Sequence, residues 1–120
     1  MVGSLERIVR WADGRVPGVP AFGVIPPDRP ERFITIERTG GSRGRLMETP
    51  TFAVQVWAGS ILDADTLAAT LCGECQKLRR QAWVASLTVG SPYNFPDPDS
   101  GQARYQFTLE VGVMLAYLND

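Results

Sequence analysis

The segment ARYQFTLEVGV, residues 103–113, alternates apolar and polar side chains and constrains the fold more than any other part of the chain. Such a period of two is typical of a β-strand with one buried face. One face carries Ala103, Tyr105, Phe107, Leu109, Val111 and Val113, and the other carries Arg104, Gln106, Thr108 and Glu110. The pattern therefore predicts a sheet with one covered face and one more polar face.

The rest of the chain supplies further strands and the helices that could cover this sheet. Residues 32–38, 51–59 and 83–91 also have strand patterns, and residues 19–25, within a proline-rich stretch, fit an edge strand. Apolar residues recur at helical spacing over 61–82, after a Ser60–Asp63 capping pattern, and a short helix capped by Ser4 ends near Gly14. We predict one domain over residues 1–120. Its fold class is α+β, two-layer, with a mainly antiparallel sheet of about four to five strands and one long and one short helix packed on one face.

Composition limits the possible chemistry. The chain contains no histidine, and Lys77 is its one lysine, so hydrolase triads built on histidine are excluded. No set of residues suggests a catalytic or cofactor site, and we expect a protein that is not an enzyme. The net charge of −1 favours neither nucleic acid nor anionic membranes. Without a long apolar run, we expect a cytoplasmic protein or an assembly built in the cytoplasm.

Three motifs invite sharper interpretations that the surrounding residues do not favour. Cys72 and Cys75 form a C-x-x-C motif, but their place inside the predicted helix favours core packing over redox or zinc chemistry. Asp97 and Asp99 resemble the start of a calcium loop, yet the glycine and glutamate of that pattern are out of register. We therefore expect no metal site.

The glycine-rich stretch TGGSRGRLMETP, residues 39–50, lacks the lysine and serine or threonine of a phosphate-binding loop. We interpret it as a long mobile connection between strands. Arg38, Arg43 and Arg45 make it basic, which suits contact with a partner or with a phosphate backbone.

An ordered set of short motifs, spread over residues 18–115, resembles the tail terminator proteins of long-tailed, siphovirus-type bacteriophages, especially those of actinobacterial hosts. The matching points are Arg29-Pro30, Glu37-Arg38-Thr39-Gly40-Gly41, Pro50, Gln55-Val56-Trp57-Ala58, Pro92-Tyr93, Phe95-Pro96-Asp97 and Arg104-Tyr105-Gln106. The two cysteines depart from this family's pattern.

This resemblance implies an α+β fold, a homo-oligomeric ring that is usually a hexamer, and no catalysis or cofactor. Such a ring caps the finished tail tube, stops its polymerisation and joins it to the head-proximal connector, with DNA only passing through the lumen. The implied partners are further copies of the chain, the major tail tube protein and a head-closure or connector protein, with no membrane. The implied location is the tail and neck of the virion, assembled in the host cytoplasm.

We expect the interface residues to lie on the polar sheet face and on the stiff loop SPYNFPDPDSG. Trp57 faces away from Phe52, Val54 and Val56 and is predicted to be exposed. The interface candidates are Trp57, Tyr93, Phe95, Asp97, Asp99 and Arg104, and the basic loop of Arg38, Arg43 and Arg45 faces the channel or a partner. Two alternatives stay open: another neck protein (head-closure or tail-completion), and a small α+β ligand-binding or regulatory module, including an enzyme that uses carboxylates.

Overall fold

A computed structural model describes residues 2–119 and confirms the α+β two-layer class. Within these residues the elements are α1 (Ser4–Ala12), β1 (Ala21–Phe22), β2 (Phe33–Arg43), β3 (Met47–Ala58), α2 (Ile61–Cys75), β4 (Val84–Val89), β5 (Tyr93–Asn94) and β6 (Ala103–Met114). Short 3-10 helices follow α2 at Gln76–Arg80 and β6 at Leu115–Asn119. The long helix was predicted to reach residue 82, but its α-helical part ends at Cys75.

The strands form one sheet in the order β1-β2-β3-β6-β4. All pairings are antiparallel except that of β1, which runs parallel to β2. Strand β5 also pairs with β6, on the side that β3 leaves free, and thus extends the line of β4. One edge of the sheet is therefore formed by β4 and β5, and the other by β1 and the outer side of β2.

Both helices cover the same face of the sheet, and the core lies between them and the central strands. It includes Ile8 and Ala12 of α1, Leu67, Ala68 and Leu71 of α2, and the sheet residues Ile34, Ile36, Phe52, Val54, Val56, Phe107, Leu109, Val111 and Val113. The alternation predicted for β3 and β6 is thus confirmed. We call the uncovered side of the sheet the open face.

The N-terminal ends of the two helices differ. Ser60 caps α2 as predicted, since its hydroxyl accepts a hydrogen bond from the Asp63 amide at 3.2 Å. Ser4 was predicted to cap α1, and this is wrong: Gly3 occupies the cap position and makes no side-chain bond. Instead the Ser4 hydroxyl is buried and donates to the Glu48 carboxylate on β3. A serine at the start of α1 therefore attaches the helix to the sheet.

The glycine-rich segment 39–50 is not a long connection, and this is the main correction to the predicted fold. β2 continues to Arg43, β3 begins at Met47, and the turn between them covers only residues 44–46. The pairing shifts register between Arg38 and Gly40. At Gly41 φ is +124°, and an added Cβ would lie 2.3 Å from the Thr49 carbonyl oxygen. Gly41 thus permits close approach of the two backbones in a hairpin whose bulge lies at Thr39, where a loop was expected.

Candidate functional site

The aromatic and acidic stretch between β4 and β6, residues 91–102, forms a compact loop that we call the proline loop. Strand β5 anchors its first half by pairing Tyr93 with Gln106 and Asn94 with Tyr105. The Phe95 amide then donates to the Arg104 carbonyl at 2.9 Å. A turn closes the second half, where the Gly101 amide donates to the Asp97 carbonyl at 2.9 Å. Backbone bonds to β6 therefore anchor the first half of the loop, and a turn within the loop closes its second half.

Asp97 organises the interior of the proline loop. Its carboxylate accepts hydrogen bonds from the Ser100 hydroxyl at 2.5 Å and from the amides of Asp99 and Ser100 at 3.3 Å each. The Ser100 hydrogen bond and the two amides outweigh burial and hold the Asp97 pKa below its ordinary value. Asp97, an interface candidate, is therefore buried within its own loop in this conformation. Asp99 is exposed and stays a candidate.

Trp57 lies on the open face as predicted, but the expectation that it is exposed is wrong. The side chain is fully buried and stacks on Phe33, with ring centroids 5.2 Å apart and ring planes 6° apart. Two guanidinium groups cover it, at 4.9 Å for Arg104 and 5.3 Å for Arg29. Its indole N–H donates to the Thr35 hydroxyl at 2.9 Å. Trp57 therefore supports the loops above it rather than a neighbour.

Arg104 attaches the proline loop to this platform. Its Nε donates to the Phe95 carbonyl at 2.7 Å, and its guanidinium carbon lies 4.6 Å from the centre of the Phe95 ring. Arg29 approaches the loop from the segment before β2 and donates to Ser100 and Gln102 at 3.3 Å. Arg104, expected to pair with a neighbour, is thus engaged within its own chain. Arg29 was missed as a site residue, although Arg29-Pro30 belongs to the motifs of the resemblance.

Tyr93 and Phe95 are the interface candidates that face solvent most clearly. Their side chains are 46% and 41% exposed, and their rings meet edge to face with centroids 6.0 Å apart. The bonds of Asp97 and Arg104 fix the backbone beneath them before any partner arrives. A surface arranged in this way loses little conformational entropy when it docks.

A row of polar side chains crosses the open face and ends at Tyr93. The Thr35 hydroxyl donates to Gln55 at 2.8 Å, the Gln55 amide donates to Gln106 at 3.0 Å, and the Gln106 amide donates to the Tyr93 hydroxyl. Sequence reasoning placed Gln55 and Gln106 on the polar face but did not predict that they meet. Strand register supplies that information, and register depends on pairings that no single strand pattern contains.

The basic residues of the hairpin do not form a free basic loop. Arg38 and Arg43 reach the buried Glu48 carboxylate at 3.2 and 3.0 Å, beside the Ser4 hydroxyl. Burial raises the Glu48 pKa, but the Ser4 hydrogen bond and the two guanidinium groups outweigh it and leave the pKa below its ordinary value. Arg38 and Arg43 are thus ion-paired within their own chain, whereas Arg45 at the turn is exposed.

The remaining motifs behave as structural elements. Cys72 and Cys75 are free thiols, with Cys75 buried and Cys72 half-buried, as the core interpretation predicts. Within residues 2–119, no three histidine, cysteine or acidic side chains are grouped so that they could hold a metal ion. In the same range, no helix has the length and apolar character needed to cross a bilayer. No protein-family model matches the chain, and no curated protein matches it either.

Proposed function

We propose that this protein is a non-catalytic structural component of a phage neck that acts as a tail terminator. In this role copies of the chain form a ring, hexameric by the resemblance. The ring caps the tail tube, ends its polymerisation and joins it to the head-proximal connector, while DNA passes through the lumen. The virion is then its place of action, and the tube protein and the connector are its partners.

The observation that carries the proposal is the proline loop, where several of the motifs behind the resemblance lie. Pro92-Tyr93 and Phe95-Pro96-Asp97 lie in this loop, and Arg104-Tyr105-Gln106 lies beside it on β6. Asp97 and Arg104 are bonded within the chain, while the two aromatic rings face solvent. Exposed aromatic rings on a rigid support are typical of protein–protein contacts. An assembly role accounts for this arrangement directly.

The assay adds the purified protein to tail tube protein from the same genome and measures tube length by electron microscopy. We expect a ring-shaped cap at one end and a narrower, shorter distribution of tube lengths. A Tyr93→Ala/Phe95→Ala double variant should lose this effect while its circular dichroism spectrum stays that of the wild type, because both side chains lie on the surface.

Two outcomes contradict the proposal. Tubes of equal length with and without the protein, and no cap at either end, leave no role in termination. A ring that binds the connector but ignores the tube assigns the chain to a neighbouring position in the neck, such as head closure.

A further inference from the structure

A groove of about 360 Å³ lies between residues 23–25 and the β2 end of the open face, away from the Tyr93–Phe95 pair. It is lined by Gly23, Val24, Ile25, Thr35, Ile36, Glu37 and Gln55. Val24 and Ile25 are 76% and 44% exposed, so these apolar side chains contribute little to the core of their own chain. Strand β1 pairs with β2 only at Ile34 and Thr35. Beyond Thr35 the edge of β2 is open within the described residues.

The groove and the exposed aromatic pair lie at opposite ends of the same row of the sheet. The strand registers align Thr35 with Gln55, Gln55 with Gln106, and Gln106 with Tyr93. Three strand spacings separate β2 from β5, which is about 14 Å. A head-to-tail contact between identical subunits requires two different patches, and here they lie towards opposite edges of the sheet in the same row of residues. Such contacts close into a ring when the rotation between neighbouring subunits permits it.

The two patches are chemically complementary. The groove offers apolar walls, and Glu37 is the one ionisable residue among those that line it. The Arg104 guanidinium lies beside the aromatic pair, 4.6 Å from the Phe95 ring. Docking of the pair in the groove would therefore bring Arg104 of one copy towards Glu37 of the other. The Tyr93 hydroxyl already accepts a hydrogen bond from Gln106 and keeps its own proton to donate. The exposed Glu37 carboxylate can accept that proton's hydrogen bond.

We propose that Tyr93 and Phe95 of one copy dock in the groove beside Val24, Ile25 and Glu37 of a second copy. This contact would be the subunit interface of the ring, so the inference rests on the proposed function. Two aromatic side chains bury about 300–500 Å², whereas a stable interface needs roughly 800 Å² per partner. The neighbouring edges of β4 and of β2 beyond Thr35 lie beside the two patches and can provide the rest.

The first test compares three variants by sedimentation velocity and mass photometry. The loop variant is Tyr93→Ala/Phe95→Ala, and the groove variant is Val24→Glu. The matched control is Leu62→Glu, because Leu62 is equally apolar and 81% exposed but lies on the first turn of α2, outside the groove. We expect at least a tenfold loss of self-association for the loop and groove variants, and wild-type assembly for the control. Assembly of Val24→Glu at wild-type strength overturns the inference.

The second test mixes the two defective variants in equal amounts. Each keeps one intact patch, so a head-to-tail contact predicts a heterodimer that cannot grow further. A mixture that stays monomeric, with both variants folded by circular dichroism, overturns the inference, as does wild-type protein that is monomeric at every concentration tested.

These results separate the contact from the proposed function. If both variants still form rings that cap tubes, the proposed function stands and the assigned contact is wrong. If the variants behave as predicted but wild-type rings never bind tubes, the contact stands and the role in tail termination is wrong.

Discussion

The guanidinium carbon of Arg104 lies 4.9 Å from the centre of the Trp57 ring, which is fully buried on a sheet face without helices. Arg29 contacts the same ring at 5.3 Å from a different segment. One tryptophan therefore organises two connections, the segment before β2 and the proline loop, above the end of the sheet. Trp57, which the sequence predicts to be exposed, is thus buried and supports the candidate contact surface.

Replacing Arg104 with lysine should loosen the proline loop. In the wild type the planar Arg104 guanidinium lies over Trp57 while its Nε donates to the Phe95 carbonyl. The lysine ammonium keeps the charge, but it is not planar and cannot make both contacts. We expect a loss of about 1–2 kcal/mol in the free energy of unfolding and faster hydrogen exchange in residues 93–102. The control is Arg45→Lys at the exposed hairpin turn, which should change neither quantity. Unchanged exchange in the loop of Arg104→Lys would mean that β5 alone holds it.

The two adjacent glycines of the hairpin should respond very differently to alanine. In Gly41→Ala the new Cβ would meet the Thr49 oxygen at 2.3 Å and the Pro50 Cα at 2.7 Å, at a φ of +124°. We expect a destabilisation of roughly 1–3 kcal/mol. In Gly40→Ala nothing lies within 4 Å and φ is not positive, so the change should be close to neutral. Urea denaturation of both variants measures the difference, and equal midpoints would contradict the close backbone approach at Gly41.

The same hairpin shows where sequence reasoning succeeds and fails. The alternation of apolar and polar residues located β6 and most of β3, because a strand with one buried face needs an apolar residue at every second position. A glycine can give a loop conformational freedom, or it can leave space for two paired backbones to approach closely. The sequence pattern alone favoured the loop. The pairing partner decides between them, and Thr49 and Pro50 are recognised as that partner only after the strands are in register.

The candidate site was predictable as a region but not in its details. Proline and aromatic content identified the loop that exposes Tyr93 and Phe95. The burial of Trp57 was not predictable, since its cover comes from Arg29 and Arg104, both distant in sequence. Charge gave no sign that Arg38 and Arg43 share Glu48, because ion pairing depends on which side chains the fold brings to one face.

Glu48→Gln should weaken the contact between α1 and the hairpin. A neutral amide cannot satisfy Arg38, Arg43 and the Ser4 hydroxyl as the carboxylate does. We expect a loss of about 1–3 kcal/mol in the free energy of unfolding at pH 7. Glu110→Gln, at an exposed position of β6, is the matched control and should cost little.

The effect of Glu48 should also depend on pH. Because its folded pKa lies below the ordinary value of 4.5, its contribution is fully present above pH 4.5. It is lost as the pH falls through the folded pKa. The stability gap between wild type and Glu48→Gln should therefore shrink in acid, which urea titrations at neutral and acidic pH can measure. A gap that is constant, or that widens in acid, would mean that the ionised carboxylate is not the stabilising group.

Cys72 and Cys75 should be nearly inert thiols in the folded protein. Burial raises the Cys72 pKa to about 11, and burial together with the nearby Cys72 and Glu74 raises that of Cys75 to about 12. At pH 8 the thiolate, which is the reactive species, is then about a thousandth of Cys72 or less. We expect slow reaction with a disulfide reagent in native protein and rapid reaction of both thiols after denaturation. Rapid native labelling of Cys75 would show that α2 opens readily, and would contradict its place in the core.

Replacing the cysteines with serine should lower stability without affecting assembly. Cys75→Ser should lower the free energy of unfolding by about 1–3 kcal/mol because it buries a hydroxyl. Cys72→Ser should have a smaller effect, and both variants should still assemble.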